Sequence, residues 1–297
     1  MIKLTFLGTS SSIPTASRNH PAILLSYANE NILIDCGEGT QRQFRKAKLS
    51  TMKLTRLLIT HWHGDHVLGI PGLLQTLALN NYKKTLCIYG PTGTKKFMHQ
   101  LLNTFVFAGK INLNVQEVSG RFLETQDFFI EAKNMFHGPP TLAYNFVKKG
   151  QVRIDKKKLE RAKLPNSPLI GRLKQGKDVI YKNKKYLAKN LVYTTQAKKI
   201  SVILDTAFDS SIANFAKGAD ILVCASDFSH ELKEKAKEYK HMTSKQCADI
   251  AKKAKVQKLV LTHLSQRYDK NPKVILDEAR KEFKQSYLVN DLDVLRV

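Results

Sequence analysis

The sequence predicts an α/β protein built from alternating strands and helices around one large core. From residue 200 to the C-terminus, short β-branched runs alternate with amphipathic helical stretches, as in layered α/β folds. With 42% hydrophobic residues among 297, the chain has enough apolar material for one large domain. Its apolar runs are short and interrupted by charge, so none resembles a membrane span. We therefore expect one domain over residues 1–297, with an insertion at residues 148–199.

Strands and tight turns are predicted for the N-terminal part. Residues Lys3–Leu7 form a predicted strand, and Ala22–Tyr27 pairs with Asn31–Asp35 in a predicted hairpin. A helix follows from about Thr40 to Lys46. The N-terminus lacks the extended apolar stretch and the small-residue cleavage site of a signal peptide, so we expect a cytoplasmic protein.

Seven residues, Thr60-His61-Trp62-His63-Gly64-Asp65-His66, hold three histidines and an aspartate. They follow a predicted strand, Leu57–Ile59, and precede a stretch predicted to be a loop, Gly69–Gly72. Imidazoles and a carboxylate suit Zn²⁺ and, less selectively, Mn²⁺ or Fe²⁺. The chain has only nine histidines, so chance clustering in a surface loop explains the pattern poorly. Asp35, at the end of an earlier strand, either supports this cluster or caps a turn.

A further histidine follows a strand later in the chain. Helices are predicted at Leu73–Leu79 and Thr94–Phe105, with a strand at Leu86–Tyr89 between them. The predicted strand Phe128–Ala132, with a short extension, then leads to His137 and a glycine-proline loop. Alone, His137 would be an ordinary loop histidine, but beside the first cluster it is a candidate metal ligand.

Basic residues are concentrated in residues 148–199. The whole chain has 49 Lys and Arg against 25 Asp and Glu, a formal net charge of +24. The segment holds seventeen Lys or Arg and three acids, a net charge of +14. This concentration favours a polyanionic partner, because neutralising phosphates releases condensed counterions. A solvated charge run, or a lysine-rich proteome, is the alternative explanation.

We interpret residues 148–199 as an inserted arm that binds nucleic acid. Prolines, glycines and short apolar islands such as Leu169-Ile170-Gly171 interrupt its charge runs, as expected for an insertion rather than core. The candidate nucleic-acid-binding residues are Lys148, Lys149, Arg153, Lys156, Lys157, Lys158, Arg172 and Lys174 in this segment, and Arg267 outside it.

Strands and helices alternate again after the arm. The predicted strands are Ile200–Leu204, Ile221–Cys224 and Lys258–Leu261. Four helices are predicted. The first is Ser210–Lys217, with Gly218 as C-cap, and the second is a charged helix that ends near Glu238. The third runs from the N-cap residues Thr243 and Ser244 to about Ala254, and the last has Asn271 as N-cap, Pro272 as its first residue and an end near Lys284. Asp205 and His263 follow two of these strands.

Seven candidate metal ligands therefore follow predicted strands, whose ends converge on one edge of a layered α/β sheet. They are His61, His63, Asp65, His66, His137, Asp205 and His263. Seven ligands are too many for one tetrahedral Zn²⁺, whereas two ions that share a bridging carboxylate account for the number. Asp205, isolated in the sequence, is the predicted bridge. Two such ions suit in-line displacement at phosphorus.

His241 is the candidate proton donor for a leaving alkoxide. It lies between Asp205 and His263 in a loop with no strand of its own, so we expect a mobile acid rather than a metal ligand. A surface histidine that merely precedes the next helix is the alternative.

The stretch THWHGDHVLGIPG resembles the H-x-H-x-D-H signature of the metallo-β-lactamase superfamily, in the form carried by the tRNase Z family. FLGTSSSIPTASRNH, DCGEGTQRQ, FHGPP, LDT, KHMTS and THLSQRY fall in the family's order, so the resemblance covers nearly the whole chain. It implies an αβ/βα sandwich, two mixed sheets flanked by helices, with a protruding basic arm that clamps tRNA. It also implies a zinc-dependent endoribonuclease that removes the 3′ trailer of precursor tRNA, commonly as a homodimer.

The resemblance also implies a role for each site residue. One zinc ion would be held by His61, His63 and His137, and the other by Asp65, His66 and His263. Asp205 would bridge the ions, Asp65 would also orient the attacking water, and His241 would donate the proton.

The sequence departs from the family's pattern at three positions. The glutamate that orients the catalytic histidine, in contexts such as H-E-A-T or C-E-S-T, is replaced by Ala225. We expect Asp227, two residues on, to take over, with Glu231 as the weaker candidate. Ser167-Pro168 replaces the arm's usual glycine-proline turn, and Leu204 replaces a glycine before the bridging aspartate.

Two alternative functions remain open at this point. Ala225 suggests a tRNA-binding family member with impaired catalysis. A small-molecule phosphodiesterase of the same fold is the other, but it has no use for the basic arm.

Overall fold

Two seven-stranded sheets carry most of the secondary structure in the computed structural model, which describes residues 1–107, 111–165 and 167–297. The larger of two compact units comprises Met1–Leu123, Ile130–Phe146 and Lys199–Val297. The smaller comprises Glu124–Phe129 and Val147–Lys198. Residue 166 of the predicted arm lies outside the described residues.

The elements have the following bounds. The strands are β1 (Ile2–Gly8), β2 (Ala22–Tyr27), β3 (Glu30–Ile34), β4 (Arg56–Leu58), β5 (Thr85–Gly90), β6 (Asn112–Glu117), β7 (Gly120–Glu124), β8 (Phe128–Phe136), β9 (Pro140–Lys148), β10 (Val152–Ile154), β11 (Val179–Tyr181), β12 (Lys184–Tyr186), β13 (Val192–Thr194), β14 (Lys198–Ile203), β15 (Ile221–Ala225), β16 (Lys258–Thr262), β17 (Ser286–Leu288) and β18 (Val294–Arg296). The helices are α1 (Thr40–Lys46), α2 (Gly64–Val67), α3 (Ile70–Leu79), α4 (Thr94–Thr104), α5 (Lys156–Arg161), α6 (Leu169–Lys174), α7 (Ala188–Leu191), α8 (Ser211–Phe215), α9 (Lys233–Glu238), α10 (Ser244–Ala254) and α11 (Lys273–Glu282). In the part of the chain that the structure describes, no helix is both long and apolar enough to cross a membrane.

The first sheet has the strand order β18-β1-β2-β3-β4-β5-β6. Strands β2 and β3 form the predicted hairpin, with Leu24 opposite Leu33. From β3 to β6 all neighbours are parallel. Parallel neighbours end at the same edge, so Asp35, which follows β3, and the histidine cluster, which follows β4, lie side by side.

The second sheet has the order β17-β16-β15-β14-β9-β8-β7. Strands β14 to β17 are parallel. The chain therefore leaves β14, β15 and β16 at one edge, where Asp205, Asp227 and His263 follow within two residues of a strand end. His137 directly follows β8, which runs four residues further than the predicted strand.

Apolar side chains fill the space between the sheets and cover their helix-facing sides. Side chains from both sheets, among them Ile34 and Val202, line one apolar space. A buried cluster joins β14–β16 to α8, α10 and α11, and a second joins β3–β5 to α1, α3 and α4. Each fully buried aliphatic side chain contributes about 1.5–3 kcal/mol, so these clusters supply the main stabilisation. The predicted pair of sheets flanked by helices is confirmed.

The smaller unit has its own secondary structure and core. Strand β10 pairs with β13 and β11 with β12, both antiparallel. Helices α5 to α7 and these strands surround a cluster that includes Leu164, Leu173 and Leu191. Leu169 of the predicted apolar patch packs against this cluster. The extent of an inserted arm at residues 148–199 stays a prediction.

Some predicted boundaries are wrong. Helix α3 begins at Ile70, inside the stretch predicted as a loop, because Pro71 in the first turn is compatible with a helix start. Helix α8 covers only Ser211–Phe215 of the predicted Ser210–Lys217. The last helix begins at Lys273, so Pro272 rather than Asn271 is its N-cap. Local signals place helices well but leave their ends uncertain by a residue or two.

Candidate metal centre

The first histidines are placed by backbone hydrogen bonds on both sides of the segment that follows β4. The Ile59 amide donates to the Tyr89 carbonyl at 2.8 Å within the first sheet. From β9, the Leu142 amide donates to the Thr60 carbonyl at 2.8 Å, and the Tyr144 hydroxyl donates to the Ile59 carbonyl at 2.6 Å. His61 is buried directly after this anchored stretch.

Asp65 and His66 lie on a helical turn, α2, rather than on the loop that the sequence predicted. His63 is the N-cap residue of that turn and has an extended backbone. The cluster therefore combines ligands from the segment after strand β4 with ligands from a helical turn. His61 and His63 come before this turn in the chain.

A first group of candidate ligands brings together His61, His63, His137 and Asp205, with one ligand atom of each lying within 4.8 Å of the others. Nε2 of His137 lies 3.2 Å from Nδ1 of His63. Oδ2 of Asp205 lies 3.8 Å from Nε2 of His61 and 3.6 Å from Nε2 of His137. This spacing leaves room for a cation between the atoms but not for a bulkier group.

A second group comprises Asp65, His66 and His263. Nε2 of His66 lies 3.2 Å from Nε2 of His263, and Oδ2 of Asp65 lies 3.3 Å and 3.5 Å from those two nitrogens. Oδ2 of Asp205 lies 3.5 Å from Nε2 of His66, so this carboxylate faces both groups. All seven sequence-predicted ligands therefore meet in one place.

In His66, His263 and His137, the ring nitrogen Nδ1 lies next to a hydrogen-bond acceptor. Nδ1 of His66 lies 2.6 Å from Oδ2 of Asp35, and Nδ1 of His263 lies 2.8 Å from Oδ1 of Asp227. Nδ1 of His137 lies 3.0 Å from the carbonyl oxygen of Lys240. Because carboxylate and carbonyl oxygens only accept, these contacts put a hydrogen on Nδ1, and Nε2 faces the centre, where it can bind a metal ion when it is deprotonated.

The arrangement of these candidate ligand atoms fits metal ions. Nε2 of His61 and Oδ1 of Asp205 are buried and have no hydrogen-bond partner. The facing Nε2 atoms of His66 and His263 lie 3.2 Å apart, so either a proton or a metal ion must lie between their lone pairs. Imidazole nitrogens with carboxylate oxygens are a donor set that suits Zn²⁺. The described His and Asp clusters could therefore bind metal ions.

Electrostatic interactions and burial within the cluster lower the pKa of some members and raise the pKa of others. Burial and the neighbouring His66 lower the pKa of His61 far below its ordinary value, so its imidazole is neutral. Burial alone would lower the pKa of His66, yet the charges of Asp35 and Asp205 raise it well above 6.5. Burial would raise the pKa of Asp205, but the nearby imidazoles hold it well below 3.8. Without a metal ion, the centre thus combines an ionised Asp205 with a neutral His61 and with a His66 that favours its protonated form.

His241 lies at the edge of the centre and is largely buried rather than exposed at the surface. Its backbone amide donates to the Ala236 carbonyl at 2.8 Å, and its side chain is 11% exposed. Its ring centroid is 4.8 Å from that of His137. Nδ1 lies 3.2 Å from Oδ2 of Asp227, an ion-pair distance without hydrogen-bond geometry, so the orienting role expected of Asp227 stays a prediction. Glu231, the weaker candidate, is exposed in a short 3₁₀ turn.

A polar cavity of about 230 Å³ opens beside His241. Its lining includes Ser12, Phe228 and Arg267. The Arg267 guanidinium lies 4.9 Å from the centre of the Phe228 ring, and its Nε donates to the Ser265 hydroxyl at 3.0 Å. Arg267, a sequence-predicted nucleic-acid contact, is therefore close to the proposed proton donor, whereas the other eight lie in the smaller unit.

The eight basic candidates of the smaller unit differ in exposure. Lys148 and Lys149 are half-buried, and Lys149 pairs with Glu124 at 2.5 Å. The remaining six are exposed on the β10 strand and on helices α5 and α6, namely Arg153, Lys156, Lys157, Lys158, Arg172 and Lys174. Exposed, unburied cations are the ones able to contact phosphates without first losing a buried partner.

Sequence reasoning missed three supporting groups. The carbonyl of Lys240 belongs to the backbone, so no residue type in the sequence could indicate it. The Ser11 hydroxyl donates to Oδ1 of Asp227 at 2.7 Å, but the two residues are 216 positions apart in the sequence. Thr60, which contacts both Asp35 and Nδ1 of His61, was visible only as the first residue of the cluster. A polar residue next to a ligand is the only signal that could have found Thr60.

The chain is similar to several known proteins. The ribonuclease Z of Methanothermobacter thermautotrophicus is 36% identical over 299 residues, which cover 100% of this chain and 97% of that protein. The crystal structure of human tRNase Z, short form, matches with a TM-score of 0.71 at 25% identity and covers 99% of each chain. A metallo-β-lactamase fold protein from Bacillus subtilis has a TM-score of 0.71 at 18% identity, covering 99% of this chain and 98% of its own. A family model described as Anti-Pycsar protein Apyc1 matches residues 2–116.

These matches decide the family. The structural matches confirm the predicted metallo-β-lactamase fold. Sequence identity above one third, sustained from end to end with a protein of nearly the same length, confirms the resemblance read from the motifs. The chain belongs to the ribonuclease Z family of metal-dependent hydrolases.

Proposed function

We propose that this protein is a zinc-dependent endoribonuclease that removes the 3′ trailer from precursor tRNA. The observation that carries the proposal is the position of Asp205, whose Oδ2 lies 3.6 Å from Nε2 of His137 in one candidate ligand group and 3.5 Å from Nε2 of His66 in another. The names of the relatives support the substrate, since ribonuclease Z and tRNase Z match along the full chain.

We propose two zinc ions, one for each group. His61, His63 and His137 would hold the first, Asp65, His66 and His263 the second, and Asp205 would contact both. When bound, such ions activate water and neutralise charge on the phosphate oxygens. Mn²⁺ or Fe²⁺ would fit the same nitrogen and oxygen donors.

The chain's own residues would orient the reactants and move the proton. Asp65, which is 11% exposed, would orient the water that attacks phosphorus. As the bond from phosphorus to O3′ of the tRNA breaks, His241 would donate a proton to that oxygen, leaving a 3′-hydroxyl on the tRNA. Asp227 would orient His241 in place of the glutamate that Ala225 replaces.

The RNA would be held by basic residues in both units. The exposed cations of the smaller unit would neutralise phosphates of the tRNA body, and Arg267 would bind near the cleaved bond. We also propose that the protein is cytoplasmic and forms a homodimer. Sedimentation of the purified protein would test the homodimer.

The direct test is to incubate the purified, zinc-loaded protein with end-labelled precursor tRNA. Cleavage after the discriminator nucleotide, with a 3′-hydroxyl on the tRNA and a 5′-phosphate on the trailer, is expected. Absence of cleavage together with hydrolysis of a small phosphodiester would refute the proposed substrate.

Two further comparisons separate the alternative functions. A protein without residues 148–199 should lose tRNA cleavage and keep hydrolysis of bis(p-nitrophenyl) phosphate; equal loss of both would argue against a role of the arm in RNA binding. A parent protein that binds precursor tRNA tightly but cleaves it at no pH would instead be a binding protein with impaired chemistry.

A further inference from the structure

Asp227 is a buried carboxylate whose two oxygens face two different histidines. Only 1% of the residue is exposed. Oδ1 makes a hydrogen bond of 2.8 Å with Nδ1 of His263, whereas Oδ2 lies 3.2 Å from Nδ1 of His241 in an ion-pair contact that lacks hydrogen-bond geometry. The Ser11 hydroxyl donates to Oδ1 at 2.7 Å and fixes the orientation of the carboxylate. The residue therefore has one oxygen for each imidazole.

The contact with His263 repeats that of Asp35 with His66 in the same candidate ligand group. In both pairs a buried carboxylate lies within 2.8 Å of Nδ1, and Nε2 points to the other ligands. Carboxylates in this position fix the tautomer and orientation of a ligand, and their loss costs about 10–100-fold in metal affinity. Oδ1 of Asp205 also lies 3.2 Å from Nδ1 of His263, farther away than Oδ1 of Asp227 at 2.8 Å. Asp227 is thus the group that orients His263.

We propose that Asp227 is a positioning residue for metal retention and for proton donation at once. This inference rests on the function proposed above. One oxygen would fix His263 as a ligand, and the other would fix His241 toward the leaving oxygen. Ala225 lies two residues earlier at the same strand end, and its methyl group accepts no hydrogen bond, so both tasks fall to Asp227. A single substitution should therefore impair two properties together.

The test compares Asp227→Asn with His241→Gln, each close to the parent in size. Zinc affinity is measured by competition with a colorimetric chelator, and cleavage by single-turnover reactions on precursor tRNA at saturating zinc. We expect Asp227→Asn to bind one zinc ion about tenfold more weakly, whereas His241→Gln stays within about threefold of the parent. At saturating zinc both should cleave about 10²–10⁴-fold more slowly. The double variant should be no slower than His241→Gln, because Asp227 acts on cleavage through that imidazole.

Several results would overturn the shared role. If Asp227→Asn binds zinc as tightly as His241→Gln does, Asp227 has no role in metal retention. If the double variant cleaves much more slowly than His241→Gln, Asp227 does not act on cleavage through His241. If Asp227→Asn does not fold, Asp227→Glu keeps the charge and must lose both properties together. A parent that binds zinc but cleaves no precursor tRNA would refute the proposed function instead, while the zinc competition would still decide the contact with His263.

Discussion

Nδ1 of His66 lies 2.6 Å from Oδ2 of Asp35, and both residues are completely buried. Asp35 also accepts hydrogen bonds from the backbone amide and the hydroxyl of Thr60, each at 2.7 Å. Its backbone φ is +56°, an uncommon value for a residue with a side chain. His263, the other histidine of the same group, has a φ of +59°. Two residues of this centre thus hold left-handed backbones, as is common at functional sites.

Replacing Asp35 should destabilise the fold and weaken metal binding. Asp35→Ala leaves the Thr60 amide and Nδ1 of His66 buried without acceptors, so we expect the free energy of unfolding to fall by about 2–5 kcal/mol. Urea unfolding of the metal-free protein measures this change. Glu38→Ala, at an exposed position nearby, is the control and should change stability by less than about 0.5 kcal/mol. A loss below about 1 kcal/mol for Asp35→Ala would contradict the bonding described here.

The imidazole of His241 should titrate well above the ordinary range in the metal-free protein. Burial alone would lower its pKa, but the carboxylates of Asp227 and Asp205 outweigh this and raise it to about 9. Because the folded pKa lies above the unfolded value near 6.5, this contribution to stability is complete below pH 6.5 and disappears as the pH rises through 9. Histidine NMR signals followed from pH 5 to 10 measure the pKa, and Asp227→Asn should lower it. A pKa near 6.5 for His241 in the parent protein would refute the pairing of His241 with Asp227.

Removing the metal should lower the stability of the larger unit. A ligand present at about a thousand times its Kd stabilises the folded state by about 4 kcal/mol. We expect unfolding in EDTA to require markedly less urea than unfolding with added Zn²⁺, and the added ion to restore the difference. His61→Ala should reduce the bound zinc, whereas His99→Ala, at an exposed histidine on α4, should retain it. Equal unfolding curves with and without zinc would count against a resident metal.

The basic residues of α5 should give tRNA binding much of its salt dependence. Lys156, Lys157 and Lys158 are all exposed, and each phosphate contact contributes about 0.9 to the slope of log K against log salt. Changing all three to alanine should reduce that slope by about 2 to 3. The matched control changes Lys252, Lys253 and Lys281, three exposed lysines of the larger unit. Equal slopes for the two triple variants would show that α5 does not contact phosphates.

The capped and patterned elements were predictable because their signals are local. Helix α10 begins after Thr243, whose hydroxyl accepts from the Gln246 amide while the Gln246 side chain accepts from Thr243, as the sequence indicated for its start. Helix α1 and strand β2 have their predicted bounds. Where a proline gave an ambiguous signal, as at Pro71 and Pro272, the predicted boundary was wrong.

By itself the sequence determined the chemistry of the centre: nitrogen and oxygen donors placed after strands, an excess of positive charge in one segment, and an alanine in place of a glutamate. Only the tertiary structure decided which groups meet. Asp35 reaches His66 across 31 residues and Asp227 reaches His263 across 36, while the Lys240 carbonyl holds His137 across 103. These contacts depend on the register of parallel strands and on the packing of two sheets, and no local pattern encodes either. For that reason the donors could be read from the chain, and Asp35 could be named as a possible support, but its partner His66 and the contact of Asp227 with His263 could not.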